Sequence, residues 1–482
     1  MSTPFTTPPV ATDTGTVRHI HLVAICGVAM AALAGMLKQR GYRVTGSDEN
    51  VYPPMSTLLE RWGIPIRSGF RAENLAERPD LVVVGNKVSR DNPEVQALLA
   101  SGLRYVSLPQ ALSELFLAGK RSVVVAGTHG KTTSTAMLAW VLERAGRDPS
   151  VLVGGEAKNF GGNFKLGKGE HFVIEGDEYD TAFFDKGPKF LHYQPQALLL
   201  TAVEFDHADI YRDLDHVKSA FRKLIGILPA GAPLAVAADF PHALEVARRD
   251  GLQPETFGLA DGAAWRIANL RGADGETSFE IVRGGRREGT VRLRVPGAIN
   301  ARNALGVYVV ARRLGLSSDE ILTGLRDFAG VARRQEVIGE FGGITLVDDF
   351  AHHPTAVAGA IAAMRQSYPG RRLWAVFEPR SNTSRRKVFQ REYVEAFASA
   401  DRVIIGGVFQ KSTDAVGVDE LFSPEQLSRD LNARGVEARA FPEIETIVVA
   451  LTRNAKRGDV ILLMSNGSFG GLREKLAAAL AA

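Results

Sequence analysis

AGTHGKTT, residues 126–133, follows the apolar run Arg121-Ser-Val-Val-Val125 and precedes Ser134–Arg144, whose apolar spacing predicts an amphipathic helix. A buried parallel strand, a glycine turn and a helix start, in that order, make an anion site. Gly127 and Gly130 let the backbone curl so that successive N–H groups and the helix N-terminus face one anion. Lys131 adds a point charge, and Thr132 offers a hydroxyl to Mg2+. The longer template GxxxxGK[ST] would place a glycine at 125, where Val125 stands. The plain alternative, a glycine-rich turn with an exposed lysine, leaves Lys-Thr-Thr at a helix start unexplained. Gly127, Thr128, His129, Gly130, Lys131, Thr132 and Thr133 are therefore read as the phosphate cradle of a nucleoside triphosphate site.

Working outward, 482 residues are too many for one hydrophobic core, and roughly two to four domains are expected. The single cysteine, Cys26, excludes an internal disulfide and suits a reducing cytoplasm. No apolar run approaches a membrane span, and residues 1–18 lack a hydrophobic signal core and read as a disordered lead-in. The net charge of +4 is modest. Basic residues cluster at Arg283–Arg287 and at Arg385-Arg386-Lys387, but without interleaved aromatics they read as solvated faces or anion contacts, not a nucleic-acid track.

Periodicity divides the rest into three α/β segments, each opening on a strand. Residues 19–120 alternate HIHLVAI, a helix from Ala29 to Gln39, YRVTGSD, a helix after Pro54, and LVVVGN. Residues 121–330 open on the phosphate loop, continue through HFVIEGD and ALLLTAV, and end in turn-rich β segments from Trp265 to Val295 followed by helices. Residues 331–482 carry ITLVDDF, RRLWAVFEP, DRVIIGG and VILLMSN as strands, each trailed by a helical stretch.

Two more groups of candidates sit at predicted strand ends, where a parallel sheet takes ligands. After HIHLVAI comes CGVAM, with Gly27 alone where a dinucleotide fingerprint would need two further glycines. The strand, turn and helix there, followed by Asp48 about 20 positions on, are nonetheless the geometry that seats a diphosphate and a ribose. Asp48 either contacts that ribose or merely ends its strand. Pro53-Pro54 fixes a rigid turn before the next helix. In the second segment EGDEYDTAFFD and EFDHADIY bring Glu175 and His207 beside the loop, able to share Mg2+ with Thr132, although histidine is an unusual Mg2+ ligand. Strand-end caps are the alternative.

GTHGKTT, EGDEYDT, EFDH, PGAINARNA, GVARRQE and DDFAHHPTA, in this order, resemble the ATP-dependent Mur ligases of bacterial peptidoglycan synthesis, from His19 to the C-terminus. The resemblance implies three domains: a Rossmann-like N-terminal domain for UDP-N-acetylmuramate, a central P-loop ATPase-like domain, and a C-terminal Rossmann-like domain that closes on ATP and binds the incoming amine. It implies ATP and two Mg2+ ions, with no nucleic-acid or membrane partner, in a cytoplasmic monomer or weak homodimer. The strings ICGVAM, NVYPPMSTLLE, GNKVSRDNPEV, EYDTAFFDKGPKF, EFDHADIY, EPRSNT and MSNGSFGGL point to the branch that adds the tripeptide L-alanyl-gamma-D-glutamyl-meso-diaminopimelate in cell-wall recycling. The runner-up is the branch that adds L-alanine. A non-catalytic ATP and UDP-sugar sensor is the reading from another class, and a nicotinamide dehydrogenase would leave the phosphate loop without a purpose.

By the resemblance, ATP phosphorylates the lactyl carboxylate of UDP-N-acetylmuramate, because a carboxylate has no leaving group until an oxygen carries a phosphoryl. An amine then displaces phosphate. Lys131, Glu175 and His207 match the catalytic set, and Thr132, Glu175 and His207 the metal ligands. Asn300 and Asn303 match a pair near adenine, with helix caps as the alternative. Arg334 matches an arginine at the entry to the last domain, and Asp349 a residue that brings that domain to the nucleotide. His352, Arg380, Ser381, Asn382 and Asn466 are assigned to the peptide, while for His353 a simple helix start before Pro354 is the alternative. Gly27, Val28, Ala29, Met30, Ser47, Asp48 and Asn86 are assigned to the UDP-sugar. Two positions depart from the pattern: Ala202 stands where Asn is usual and Ile299 where His is usual, which bears on nucleotide affinity more than on reaction type. A carbamylated lysine, Lys218 or Lys223, is a further possibility that the resemblance raises.

Overall fold

Runs such as Leu81–Val84, Ala197–Leu200, Leu373–Phe377 and Val460–Met464 show no polar alternation and are buried along their whole length. Strands of that kind need cover on both faces, which parallel sheets flanked by helices supply. The computed structural model describes residues 17–52, 55–273, 275–409, 417 and 420–481. The Pro53-Pro54 turn and residues 1–16 of the expected lead-in lie outside them. Residues 17 and 18 correct that expectation: Val17 is buried, and the Arg18 N–H donates to Asp80 Oδ2 at 2.8 Å.

One compact unit takes Met1–Ser122 and Tyr179–Gln194. Its five strands lie in the order Ile66–Ser68, Arg43–Asp48, His19–Val23, Leu81–Val84, Tyr105–Ser107, and every pair is parallel. The winding reverses beside His19–Val23, and the crevice beyond that strand's carboxyl end is where such a sheet takes ligands. Helix Val28–Gln39 starts there. The segment 179–194, which the sequence pattern placed in the middle of the chain's second segment, groups here instead. It forms the antiparallel hairpin Asp180–Ala182 with Asp185–Pro188. Its Phe183 and Phe184 pack against this unit's apolar core, with Phe184 edge-on to Tyr105 at 5.1 Å.

The other unit takes Val123–Glu178 and Pro195–Ala482 and contains two sheets. In the ten-stranded sheet Arg121–Ala126 lies between Ala197–Leu200 and His171–Gly176, with Leu234–Ala237 and Glu255–Gly258 beyond the first of these neighbours. The turn-rich region expected after Trp265 is an antiparallel meander of Trp265–Ala273, Glu276–Arg283 and Arg286–Leu293 at one edge. The six-stranded sheet runs Glu336–Phe341, Ile344–Asp349, Val460–Met464, Leu373–Phe377, Arg402–Gly406, Glu437–Phe441, parallel except at its first pair. Its two edge strands were not anticipated, because an edge strand is covered less and shows no apolar run. Among the described residues no helix is long and apolar enough to cross a membrane.

The last sheet is held by an aromatic cluster: Phe377, fully buried, lies 5.0 Å from Tyr393 and 5.6 Å from Phe397 between ring centroids. Phe377→Ala is expected to destabilise the protein by roughly 3–5 kcal/mol, because the surrounding rings cannot collapse into the space. Urea unfolding followed by circular dichroism checks this, and an unchanged midpoint would contradict it.

Candidate active site

The phosphate loop is built by crowding as much as by dihedral preference. Gly127 has φ +137 and Gly130 φ +79, both uncongenial to a residue with a Cβ. A Cβ on Gly127 would lie 2.3 Å from Thr201 Oγ1, and one on Gly130 would lie 2.6 Å from Asn303 Oδ1. Gly130 is the residue before helix Lys131–Arg144, which begins three residues earlier than apolar spacing suggested and so puts Lys131, Thr132 and Thr133 in its first turn. Thr128 N–H donates to the Ala202 carbonyl at 3.0 Å, which ties the loop to the next strand's exit.

Lys131 Nζ donates to the Gly127 carbonyl at 2.6 Å and to Glu178 Oε1 and Oε2 at 3.1 and 2.9 Å. His207 Nε2 lies 3.1 Å from Glu178 Oε1. Burial alone would pull the Lys131 ammonium down, but the carboxylates of Glu178, Asp177 and Glu175 outweigh it and raise its pKa. Burial likewise opposes the charged form of His207, yet Asp206 and Glu178 push it up to about 9. Burial would raise the Glu178 carboxyl, but Lys131 and His207 hold it below the usual range. Glu175 serves a different partner set: it accepts from Thr132 Oγ1 at 3.0 Å and from the Gly154 N–H at 2.7 Å. The sequence grouped Glu175, His207 and Thr132; in the folded chain Glu175 meets Thr132, and His207 meets Glu178.

Across the cavity, Arg334 Nη2 donates to Thr132 Oγ1 at 3.2 Å and its guanidinium lies 4.6 Å from the Phe350 ring centroid. Burial lowers its pKa against the pull of Asp349 and Glu175. Arg333 and Gln335, on either side, stand at φ +58 and +51, a conformation rare for residues with a Cβ. Bonds to both flanks hold them there: Arg333 Nε reaches Asp348 at 3.2 Å, and the Gln335 N–H donates to Asp349 Oδ2 at 2.8 Å. Asn300 Nδ2 donates to Gln335 Oε1 at 2.9 Å, and Asn303 Nδ2 reaches Asn300 Oδ1 at 3.4 Å, so the asparagine pair faces inward.

A cavity of about 280 Å3 brings these groups together. From the sequence candidates it gathers His129, Gly130, Lys131, Thr132 and Thr133 with Glu175, His207, Asn300, Asn303, Arg334, Asp349 and His352, and Thr128 also lines it. Gly127 contributes only its carbonyl. A second cavity of about 280 Å3, sharing His129, Gly130 and Asn303 with the first, is walled by Asp239, Phe240 and Arg302, whose Nε is 2.7 Å from Asp239 Oδ2. Asp177, Glu178, Asp206 and Gln335 were missed by name although each lies in one of the motifs, because strand-end spacing does not say which carboxylate turns toward the lysine.

Arg380, Ser381, Asn382 and Asn466 do not line the first cavity. They occupy loops at carboxyl ends of the last sheet, where Arg380 lies 3.9 Å over the Phe409 ring and 3.3 Å from Glu378. Ser381 Oγ donates to Ser384 Oγ at 2.8 Å, and Asn382 Nδ2 donates to Asp209 Oδ2 at 2.7 Å. Among the described residues Asn466 Oδ1 is buried with no hydrogen-bond partner. Neither Lys218, which is held 2.8 Å from Glu245, nor Lys223 lines the cavity.

In the first unit, Gly27 and Val28 open the helix, with Val28 48% exposed, and Ala29 and the half-buried Asn86 are accessible. Two of the assigned side chains there face inward. Met30 is buried in the core, and the fully buried Ser47 donates its hydroxyl to Glu94 Oε1 at 2.9 Å, because that carboxylate also needs His21 at 2.8 Å and Asn74 at 2.7 Å to be satisfied. Asp48 accepts from the Cys26 and Asn50 N–H groups, each at 2.9 Å, so its carboxylate ties down the turn that it follows.

For a cation, Thr132 Oγ1 and Glu175 supply hard oxygen donors, and ligand atoms of Asp177, Glu178 and His207 lie within 4.8 Å of one another. That donor set fits Mg2+. His129, Glu204 and His353 form a similar cluster. There, however, His353 Nε2 donates to the Phe205 carbonyl at 3.1 Å and Nδ1 accepts from the Thr355 N–H at 3.3 Å, so both ring nitrogens are taken by backbone. Burial and then His129 pull this ring down to about 3, in keeping with a neutral structural histidine. It is thus both the helix start expected from Pro354 and a tie to the loop that carries His207.

Residues 19–120 match the Mur ligase family catalytic domain, residues 125–311 the Mur ligase middle domain, and residues 333–467 the Mur ligase glutamate ligase domain. The chain belongs to the Mur ligase family. It is 38% identical over 459 residues to the UDP-N-acetylmuramate–L-alanyl-gamma-D-glutamyl-meso-2,6-diaminoheptandioate ligase of Escherichia coli (strain K12), covering 95% of this chain and 97% of that one. The ligase of the same name from Haemophilus influenzae is 39% identical over 464 residues, covering 95% and 98%. A solved murein peptide ligase from Psychrobacter arcticus 273-4 is 34% identical with a TM-score of 0.70, covering 96% of this chain and 99% of that chain. Within this Mur ligase the two departures sit side by side: Ala202 and Ile299 both line the second cavity, and Ile299 also lines the first.

Burial pushes the Asp349 carboxyl up to about 6 from 3.8, against Arg334 and two backbone donors. Between those values the folded chain keeps a proton that the unfolded chain has released, so stability from this group is greatest in acid and declines as pH climbs through the window. Relative to Asp349→Asn, the wild type is expected to lose about 2 kcal/mol between about pH 4 and 6.5. Urea titrations of both proteins at the two pH values measure this, and a constant difference would refute it.

Proposed function

We propose that this chain is the ATP-dependent amide ligase that joins UDP-N-acetylmuramate to L-alanyl-gamma-D-glutamyl-meso-diaminopimelate in the cytoplasm, as a step of peptidoglycan recycling. The observation that carries the reading is the convergence of Lys131, Thr132, Glu175, His207 and Arg334 on one cavity, in a chain 38% and 39% identical to two ligases named for that tripeptide, against 35% and 33% to two named for L-alanine. ATP and the UDP-sugar are substrates. Lys131 and Arg334 offset charge on the phosphoryl as it moves to the lactyl carboxylate, and the helix N-terminus at Gly130 orients it. The resulting acyl phosphate is open to the alanine amine, and phosphate leaves. Thr132 and Glu175, with His207, would hold Mg2+, which supplies charge neutralisation on the phosphates.

The second cavity, walled by Phe240 and Arg302, suits the adenosine moiety beside Asn300 and Asn303. Gly27, Val28, Ala29, Asp48 and Asn86 frame the crevice proposed for UDP-N-acetylmuramate. In that crevice Ala29 and Val28 flank the diphosphate at the helix start, and Asp48 shapes the turn. His352, Arg380, Ser381, Asn382 and Asn466 are proposed for the peptide. Residues 19–120, 121–330 and 331–482 are proposed as functional domains for the acceptor, ATP and peptide in turn. The protein is proposed to work as a monomer or weak homodimer, with neither nucleic acid nor membrane.

Phosphate release from ATP and Mg2+ with UDP-N-acetylmuramate is expected with the tripeptide and not with L-alanine, and to fall by roughly 10²–10³-fold in Lys131→Ala. Release with L-alanine alone would assign the alanine-adding reaction instead, and silence with both amines would leave a nucleotide sensor.

A further inference from the structure

Glu178 takes no part in the chemistry just described, yet it is the carboxylate most tightly engaged at the phosphate loop. Its side chain is 1% exposed. An ammonium has three N–H donors. On Lys131 they face the Gly127 carbonyl and the two oxygens of Glu178. A phosphate oxygen can therefore gain Lys131 only as one of these partners gives way. The Gly127 carbonyl is part of the loop itself and is fixed by the crowding against Thr201 and Ala202. Glu178 is the partner free to exchange, and it is itself an anion.

The main chain of Glu178 does not follow such an exchange, because the Tyr211 hydroxyl donates to its carbonyl at 2.6 Å. The side chain also has a second cation to stay with. His207 stands at φ +55, and its N–H donates to Asp206 Oδ1 at 2.7 Å, so its backbone is committed while its ring points at Glu178 Oε1. Glu175, three residues earlier, cannot substitute, since its oxygens are on Thr132 and Gly154.

We infer that Glu178 is the counter-ion which a nucleotide phosphate must displace from Lys131, and a positioning residue that holds the His207 ring through that exchange. The inference rests on the ATP reading of the cavity. Carboxylate and phosphate compete for one ammonium, so Glu178 weakens nucleotide binding while keeping a buried lysine paired. Tight ground-state binding would not speed turnover; an internal competitor keeps the phosphate contact from being over-strong before the reaction and helps the product leave.

Calorimetric titration of ATP in excess EDTA into the full chain separates these effects from those of metal. Glu178→Gln, which keeps size and an acceptor but removes charge, is expected to lower the ATP Kd by roughly three- to tenfold. Glu178→Asp, which withdraws the carboxylate by one methylene yet keeps the charge that folding experiences, is expected to lower it by roughly twofold. In steady state both variants should show a lower KM for ATP together with a lower kcat, a split that general loosening of the fold does not produce. A folded Glu178→Gln, or a folded Glu178→Asp if the first does not fold, that binds ATP no more tightly than the wild type overturns the inference while leaving the ligase reading intact. A wild type that binds ATP neither in EDTA nor with excess Mg2+ overturns the ligase reading and this inference with it.

Discussion

The close approach of two glycines to their neighbours governs the arrangement of the site. Gly127 passes against Thr201 and Ala202, and Gly130 against Asn303, at separations that no side chain could share. Because the loop is pressed so closely onto the exit of strand Ala197–Leu200 and onto helix Ala298–Arg313, the residues that follow those elements are brought to the same place. The chain after Leu200 carries Glu204, Asp206 and His207 past the loop, and the start of the helix at Ala298 carries Asn300 and Asn303. A phosphate site and the groups that could act on it are thus consequences of one packing constraint.

Charge is arranged around that constraint in pairs. Ion pairs withdrawn from water gain little for stability, but leaving one member alone is costly, so such pairs tend to be retained where their exchange has a use. Lys131 with Glu178, Arg334 with Asp349 and Glu175 nearby, and His207 with Asp206 each place a cation beside an acid around the phosphate loop. The first unit shows the opposite case. Glu94, His21, Thr45, Ser47 and Asn74 form a buried network whose side chains meet one another.

Much of this was legible before folding. LVVV, ALLL and VILLM can only be covered strands, and the glycine turn before Lys-Thr-Thr can hardly be anything but an anion cradle. Errors gathered where local pattern and tertiary demand part company. Ser47 and Met30 lie beside the expected UDP-sugar turn in sequence, but the alternation of a strand and the rotation of a helix send their side chains inward. Edge strands Glu336–Phe341 and Glu437–Phe441 were invisible because partial cover imposes no apolar run. Phe183 and Phe184 drew a hairpin into a unit that chain order alone would not have chosen, since two adjacent aromatic rings must find apolar cover somewhere.

The sequence by itself determined the strand-turn-helix of residues 121–144, the class of α/β sheet, and the kinds of side chain available at strand ends, because these follow from short-range sterics and the period of burial. Only the tertiary structure decided which carboxylate meets which cation. Glu175, near the end of strand His171–Gly176, and Glu178, three residues on, are chemically alike and equally plausible partners for Lys131 or Thr132. Which oxygen lies within 3 Å of which nitrogen depends on how strands and helices separated by tens of residues pack together, with bonds such as Tyr211 to the Glu178 carbonyl and Gly154 to Glu175 selecting the outcome.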